Sequence, residues 1–118
     1  MSSIRKPEIV QLAALPGLPC PCGVARRAFE DRDEVPGTVH YTEIDQDAVE
    51  HYHVDHTEVY VILECDPGAT IVLDGEEHPI EPLTSILIPP GVRHRAVGQM
   101  KVLIFCTPNF DPQDEHFD

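Results

Sequence analysis

Basic residues are scarce in this sequence: Lys and Arg number 8 against 21 Asp and Glu, which gives 118 residues a formal net charge of −13. A surface this acidic repels nucleic-acid phosphates and anionic lipid headgroups, so we expect no nucleic-acid partner and no membrane partner. Long apolar runs are also missing. The longest one near the N-terminus, residues 9–15, contains Gln11 and is followed by Pro16, so it does not resemble a signal peptide. We therefore expect a cytoplasmic protein.

No long segment repeats apolar residues with the period of a helix, and 12 Pro and 7 Gly divide the chain into short pieces. Several of these pieces are rich in β-branched and apolar residues, and the dipeptide Asp74-Gly75 is a strong hairpin signal. The strands predicted in this way are residues 38–44, 59–63, 69–73, 85–88 and 101–106. We expect one all-β domain, a sandwich or barrel.

The ends of the chain are expected to differ from the barrel. Residues 1–23 are rich in proline and are predicted to pack as an extended N-terminal arm. Residues 111–118 form an acidic C-terminal tail with little to bury, and we expect this tail to fray.

The sequence lacks the motifs of several common types of active site. The sequence has no Gly-rich phosphate loop and no serine in a nucleophile-elbow pattern. In a cytoplasmic protein, we expect Cys65 and Cys106 to act as small hydrophobes and no disulfide to form. Cys20 and Cys22 are separated by one residue, whereas the cysteine pairs of zinc sites usually have two to four between them.

Histidines are concentrated in two short segments. Residues 51–58 read His-Tyr-His-Val-Asp-His-Thr-Glu, and His94 follows the turn Pro89-Pro90-Gly91. His51 and His53 are two residues apart, so on a strand they point to one face with Cα atoms about 6.6 Å apart. A bend near Val54 and Asp55 is required to bring Glu58 to the same face. Beyond the bend, alternate residues share that face, namely His56, Glu58, Tyr60 and Ile62.

Three imidazoles and one carboxylate suit a divalent transition metal such as Fe, Mn, Ni, Co or Zn, and they do not suit Ca or Mg. With neutral imidazoles, the loaded site keeps a local charge near +1. Its open positions then favour an anionic oxygen ligand.

These segments resemble the cupin family. Its first motif is Gly, His-x-His, three or four residues, Glu, six residues and Gly, and here His51, His53 and Glu58 match while Cys65 stands at the last Gly. In the second motif Pro89, Gly91 and His94 match. Leu83 replaces its Gly and Gly98 its Asn. The resemblance covers roughly residues 38–107.

The resemblance implies a small jelly-roll β-barrel that holds one divalent metal inside through His51, His53, Glu58 and His94. It also implies a homodimer, because single-domain cupins commonly pair. Cupins include dioxygenases, sugar isomerases and epimerases, lyases and members without an assigned reaction, so the family defines the metal better than the reaction.

Other residues have more than one interpretation. Tyr60 lines the pocket and offers its hydroxyl to a substrate, or it is a core tyrosine. His40 binds substrate or lies at the surface, and His56 is a pocket residue, a substitute ligand or a solvated loop residue. One pair of the alternating residues 102–105 faces inward, and Phe105 is a candidate pocket residue.

The arginines are notable because cations are rare. One of them clamps a substrate carboxylate, or all of them pair with acidic residues at the surface. The four candidates for this role are Arg26, Arg27, Arg93 and Arg95.

Three functional hypotheses follow. The first is a metal-dependent enzyme acting on a small anionic or oxygen-rich organic substrate by dioxygenase or isomerase chemistry. Glu58 and Tyr60 are its catalytic candidates, with Glu58 a ligand or a detachable base. The second is a non-catalytic cupin that binds a small molecule or sugar. The third is a barrel whose metal only stabilises the fold. A catalytic metal keeps exchangeable water positions, whereas a structural metal is closed.

Overall fold

A computed structural model describes residues 7–45 and 48–118. Within these residues the chain is all-β, with nine antiparallel strands in two sheets and two short 3-10 helices. No helix in this part of the chain is long and apolar enough to cross a membrane.

The larger sheet has six strands in the order β1-β2-β3-β9-β4-β7. Its strands are β1 Leu18–Cys20, β2 Gly23–Ala28, β3 Thr38–Ile44, β4 Thr57–Cys65, β7 Ser85–Ile88 and β9 Met100–Thr107. The smaller sheet has the order β6-β5-β8, and its strands are β5 Thr70–Leu73, β6 Glu76–Pro79 and β8 His94–Val97. The 3-10 helices are Leu12–Ala14 and Pro112–Asp114.

Alternation along the strands places the core between the sheets, as expected for a small jelly-roll barrel. On β4, Tyr60 and Ile62 are buried, and on β9 Val102 and Ile104 are buried. Because a strand sends successive side chains to opposite faces, the residues between them point outward. Ile71 of β5 joins the same cluster from the smaller sheet.

The predicted hairpin at Asp74-Gly75 is present and joins β5 to β6. Both turn residues have positive φ, 49° for Asp74 and 82° for Gly75, which is the turn whose twist matches the flanking strands. The apolar pattern of the sequence did not predict β1, β2, β6 and β8. Their sequences are short, polar or interrupted by proline, so they lack a clear apolar alternation.

The N-terminal arm is not merely extended. β1 pairs with β2 at the edge of the larger sheet, and Pro21 and Cys22 form the turn between them. This turn holds the Cα atoms of Cys20 and Cys22 5.2 Å apart, and the two cysteines form a disulfide. The expectation of no disulfide is therefore wrong, because hairpin closure brings these thiols together. Cys65 and Cys106 are free.

The expectation of a frayed tail is also wrong. Residues 112–114 form a 3-10 helix, and Asp114 is buried. His116 pairs with Tyr52 through two backbone hydrogen bonds of 3.0 Å, one in each direction. The tail is acidic, but one of its acids turns inward, where buried backbone N–H groups need an acceptor.

Candidate metal centre

The first two histidines are positioned by the segment that precedes β4. His51 and His94, the first residue of β8, form an isolated bridge in which each backbone N–H donates to the other's carbonyl, at 3.1 and 2.9 Å. Their ring centroids are 4.3 Å apart. The chain bends at Val54 and Asp55, where the spacing required a bend. Glu58 then faces inward from the second position of β4.

The structure brings His51, His53, Glu58 and His94 together, with one ligand atom from each side chain within 4.8 Å of the others. All four side chains are buried. The carboxylate oxygen Oε1 of Glu58 lies 3.1 Å from Nε2 of His53 and 3.3 Å from Nε2 of His94. These are the four residues that match the two motifs.

The ring hydrogen bonds of the histidines show whether this cluster fits a metal. Nδ1 of His51, His53 and His94 lies 3.0, 2.7 and 3.0 Å from the backbone carbonyl oxygens of Val49, Asp114 and Val92 respectively. A carbonyl oxygen only accepts, so each Nδ1 carries a proton. In the neutral imidazole, each Nε2 is then a lone-pair donor, which is the orientation that metal-bound histidines have in proteins.

Without a cation, this arrangement leaves polar atoms unsatisfied. The Nε2 lone pairs of His53 and His94 face an oxygen of Glu58, and Nε2 of His94 is buried without a hydrogen-bond partner. Buried polar atoms are rarely left in this state. A positive ion between them removes the conflict, so the residues fit a divalent metal.

The charge states of Glu58 and His51 agree with this fit. Burial lowers the pKa of His53, but its hydrogen bond with Glu58 outweighs burial and raises that pKa, so metal binding displaces a proton there. Burial opposes ionisation of Glu58, but its contacts with His53 and His94 hold its pKa well below the ordinary range. Burial, followed by the charge of His94, lowers the pKa of His51 to about 4. At neutral pH, His51 is therefore an uncharged ligand and Glu58 an anionic one, as metal binding requires.

Tyr60 lies beside the cluster. It is 3% exposed, and its ring meets that of His94 edge to face with centroids 6.0 Å apart. Burial and then the charge of Glu58 raise its pKa well above the ordinary value, so its hydroxyl stays protonated and can donate. Together with His51, His53 and Glu58, Tyr60 lines a small cavity of about 20 Å³, which has room for about one water molecule.

His40 is buried and lines the same cavity, so it is not a surface histidine. The Thr38 hydroxyl lies 2.7 Å from its Nε2. Burial, followed by the charge of Arg27, lowers the pKa of His40 to about 4, so its ring is neutral.

His56 is buried, and the solvated interpretation is wrong. Its ring stacks on Phe110 with centroids 5.8 Å apart, and its Nε2 accepts the N–H of Asp111 at 3.2 Å. It also forms a second cluster with His53 and Asp114. The carboxylate of Asp114 already accepts three backbone N–H groups, so this cluster is a hydrogen-bonded support for His53.

Phe105 does not face the pocket. It points outward from β9 and is 40% exposed, while Val102 and Ile104 face inward. The inward-facing pair among residues 102–105 is therefore Val102 and Ile104. Sequence reasoning missed Phe110, and it missed Asp114 and Glu115 because a tail predicted to fray was given no role.

Two wider openings exist. An open cleft of about 680 Å³ adjoins the small cavity and shares part of its wall. The residues that line both are Cys20, Pro21, Arg27, Phe110 and Glu115. A groove of about 440 Å³ lies beside Glu43 and Lys101 and contains no histidine, so it is remote from this chemistry.

Comparisons with known proteins agree with the fold. The family model described as the cupin domain matches residues 37–106. The chain is 35% identical over 78 residues to an L-ectoine synthase of Mycolicibacterium gilvum (strain PYR-GCK), covering 65% of this chain and 60% of that protein's length. The chain therefore spans less than two thirds of this curated relative.

Solved structures are similar over almost the whole chain. A crystal structure of a protein from Planctomyces limnophilus has a TM-score of 0.91 and 42% identity, covering 96% of this chain and 98% of that one. A Streptomyces PAC13 variant with uridine has a TM-score of 0.79 and 17% identity, covering 96% and 92%. The second likeness concerns the fold alone.

Proposed function

The chain belongs to the cupin family, and on that premise we propose that it is a metal-dependent enzyme acting on a small anionic or oxygen-rich organic substrate. One divalent transition metal, Fe, Mn, Ni, Co or Zn, is held by His51, His53, Glu58 and His94. The observation that carries this proposal is the tautomer of the three imidazoles. Each donates from Nδ1 to a backbone carbonyl, and Nε2 of His53 and of His94 lies near Oε1 of Glu58.

The bound metal supplies Lewis-acid polarisation of a substrate oxygen. Tyr60 supplies a hydroxyl that remains protonated and donates a hydrogen bond to that oxygen. Glu58 is anionic and within reach of two imidazoles, so it either stays a ligand or detaches to accept a proton. Both groups are buried, and they line a cavity of about 20 Å³.

The chemistry is dioxygenation if the bound metal is iron, and proton transfer at a polarised carbonyl, the isomerase type of chemistry, if the metal is Mn, Zn or Ni. The curated relative is named as an L-ectoine synthase. That name supports small-molecule chemistry on this fold without naming the substrate of this chain.

The experiment separates the enzyme from a closed structural site. The protein is loaded with Mn²⁺, and the relaxation rate of water protons is measured. We expect strong enhancement because an open coordination position exchanges water. Relaxation as weak as that of a fully chelated ion contradicts the enzyme and supports the structural barrel.

A second test separates the enzyme from a binding module. Loaded protein is incubated with a panel of small oxo and hydroxy acids and sugars, and products are detected by NMR. We expect turnover that falls at least tenfold in Tyr60→Phe. Tyr41→Phe is the matched control, because Tyr41 lies at an outward position of β3. Binding of a panel compound without product supports the module instead.

We also propose a homodimer through the outer face of the larger sheet. On this face Val59 pairs with Leu87 on one side and Phe105 on the other, and Phe105 pairs with Val39. Leu87 is 64% exposed and Phe105 is 40% exposed. An apolar row across four strands is unusual on a monomer with a net charge of −13, and a second copy covers it with the same apolar chemistry.

A further inference from the structure

Arg27 is a cation that has no anionic partner among residues 7–45 and 48–118, although the chain has 21 acidic residues. By contrast, Arg26 pairs with Glu43, and Arg32 pairs with Glu8 and Glu34. Nε of Arg27 is buried and lacks a hydrogen-bond partner. An unpaired buried donor on a charged group costs stability, so this arrangement calls for an explanation.

The guanidinium is stabilised by contact with an aromatic ring. Its central carbon lies 4.0 Å from the ring centroid of Phe110. The other neighbours of this ring are His40, with centroids 5.3 Å apart, and His56. Stacking on Phe110 restricts the guanidinium plane and leaves its N–H edge available, because a cation–π contact uses the face of the group.

Arg27 lies on the boundary between the open cleft and the metal centre. It belongs to β2, opposite His40 of β3, and it lines both the cleft of about 680 Å³ and the cavity of about 20 Å³. His51, His53 and Glu58 line the inner cavity. Among the described residues that line either space, no other Arg or Lys is present.

We infer that Arg27 is a carboxylate-binding residue that anchors the substrate between the cleft and the metal centre. The two carboxylate oxygens accept from the two terminal nitrogens of the guanidinium, which, unlike Nε, are not buried without a partner, and the planar fork matches a carboxylate. The inner cavity then receives only the small reacting group, and the open cleft receives the rest of the molecule. This inference rests on the proposed function, because it names the substrate class of the same site.

A carboxylate fits this position better than a phosphate. Glu115 lines both spaces, and among the described residues it forms no ion pair with Arg27. A phosphate dianion brings more negative charge toward Glu115 and Glu58 than a carboxylate does, and a single guanidinium opposes that repulsion. The site therefore selects singly charged carboxylates.

The test is an NMR titration of metal-free, ¹⁵N-labelled protein with propanoate. The readout is the Nε–Hε cross-peak of Arg27, which is assigned by its loss in Arg27→Lys. We expect a saturable shift of this cross-peak. We also expect Arg27→Lys to weaken propanoate binding about tenfold or more, followed at the backbone amide of His40, because lysine lacks the fork.

The matched control is Arg93→Lys. Arg93 also stacks on an aromatic ring, with its guanidinium carbon 4.5 Å from the ring centroid of Tyr52, but it lines neither space. We expect this variant to bind propanoate like the wild type. Should Arg27→Lys lose the native amide spectrum, the cross-peak is assigned in the wild type by its nuclear Overhauser contacts with the ring protons of Phe110, and its titration then decides alone.

Three results overturn the inference: no saturable shift of the Arg27 cross-peak, unchanged binding in folded Arg27→Lys, or tighter binding of inorganic phosphate than of propanoate. Because the titration uses metal-free protein, its outcome is independent of metal binding. Propanoate binding without any metal binding in dialysis leaves the Arg27 site standing and removes the proposed function. Metal binding without a shift of the Arg27 cross-peak overturns the Arg27 site and leaves the proposed function standing.

Discussion

Replacing Asp114 by asparagine tests how the C-terminal tail supports the metal centre. The carboxylate of Asp114 accepts the backbone N–H groups of Val54 and Asp55 at 2.8 Å each and of His56 at 3.1 Å. Its backbone carbonyl lies 2.7 Å from Nδ1 of His53. The residue therefore closes the bend after His53 and orients that imidazole.

The expected loss of stability follows from the charge of the Asp114 carboxylate. Burial raises the pKa of Asp114, but backbone hydrogen bonds from Val54 and Asp55, with His116, outweigh it and lower the pKa from 3.8 to about 2. Each pKa unit corresponds to about 1.4 kcal/mol, so the ionised carboxylate contributes about 2 kcal/mol. This contribution is fully present above the unfolded-state pKa of 3.8 and is lost as pH falls through the folded-state pKa of about 2.

Asp114→Asn keeps the shape but presents an NH₂ group to N–H donors. We expect metal-free Asp114→Asn to lose about 2 kcal/mol of unfolding free energy at pH 7 in urea titrations, and the difference from wild type to shrink toward pH 2. Metal affinity, measured by chelator competition, is expected to fall about 10- to 100-fold, because the orientation of His53 is loosened.

Asp111→Asn is the matched control. Asp111 caps the same 3-10 helix by accepting the N–H of Gln113 at 2.9 Å, but its side chain is exposed, and only its backbone N–H, which the substitution keeps, donates to His56. We expect Asp111→Asn to lower the free energy of unfolding by only a few tenths of a kcal/mol, about 0.3, and to leave metal affinity unchanged. The reasoning is refuted if Asp114→Asn binds metal and unfolds like the wild type.

Three further predictions concern packing, assembly and the metal. Gly37→Ala is expected to lower the free energy of unfolding in urea by about 2 kcal/mol or more, because a Cβ there clashes with the carbonyl oxygen of Cys106; wild-type stability contradicts this close packing. Leu87→Lys with Phe105→Lys is expected to yield monomers in sedimentation analysis, whereas Leu83→Lys, at a 79% exposed residue outside the row, leaves dimers; a dimeric double variant rules out this interface. Chelation is expected to remove about 3 kcal/mol of stability from protein held at 100-fold excess of free metal over Kd, and an unchanged thermal midpoint contradicts tight binding to the native state.

The barrel and the four-residue cluster were predictable because local pattern and motif spacing agree there. Alternation along residues 57–65 places Glu58 and Tyr60 on the inner face, and the structure has this alternation. The spacing of His53 and Glu58 required a bend, and the bend lies at Val54 and Asp55. These features depend on neighbours in sequence, which the period of a strand determines.

The supporting residues were not predictable in the same way. Asp114 is about 60 residues from the loop that it holds, and the inward turn of one acid in an acidic tail leaves no periodic signal. Asp111-Pro112 is a weak indication, since an Asp cap followed by Pro is typical of a helix start. The inward side of β9 could not be assigned either, because Val102, Leu103, Ile104 and Phe105 are all apolar.

Metal stoichiometry tests the central claim most directly. Protein purified without an affinity tag is dialysed against Fe, Mn, Ni, Co or Zn in turn, beside a His51→Ala/His94→Ala double variant, and both are analysed for bound metal. We predict one ion per wild-type chain for at least one of these metals and none in the double variant, while the amide spectrum of the variant keeps the dispersion of a folded barrel. Absence of metal from wild-type protein after reconstitution, or equal binding by the folded double variant, contradicts a centre built from these four residues.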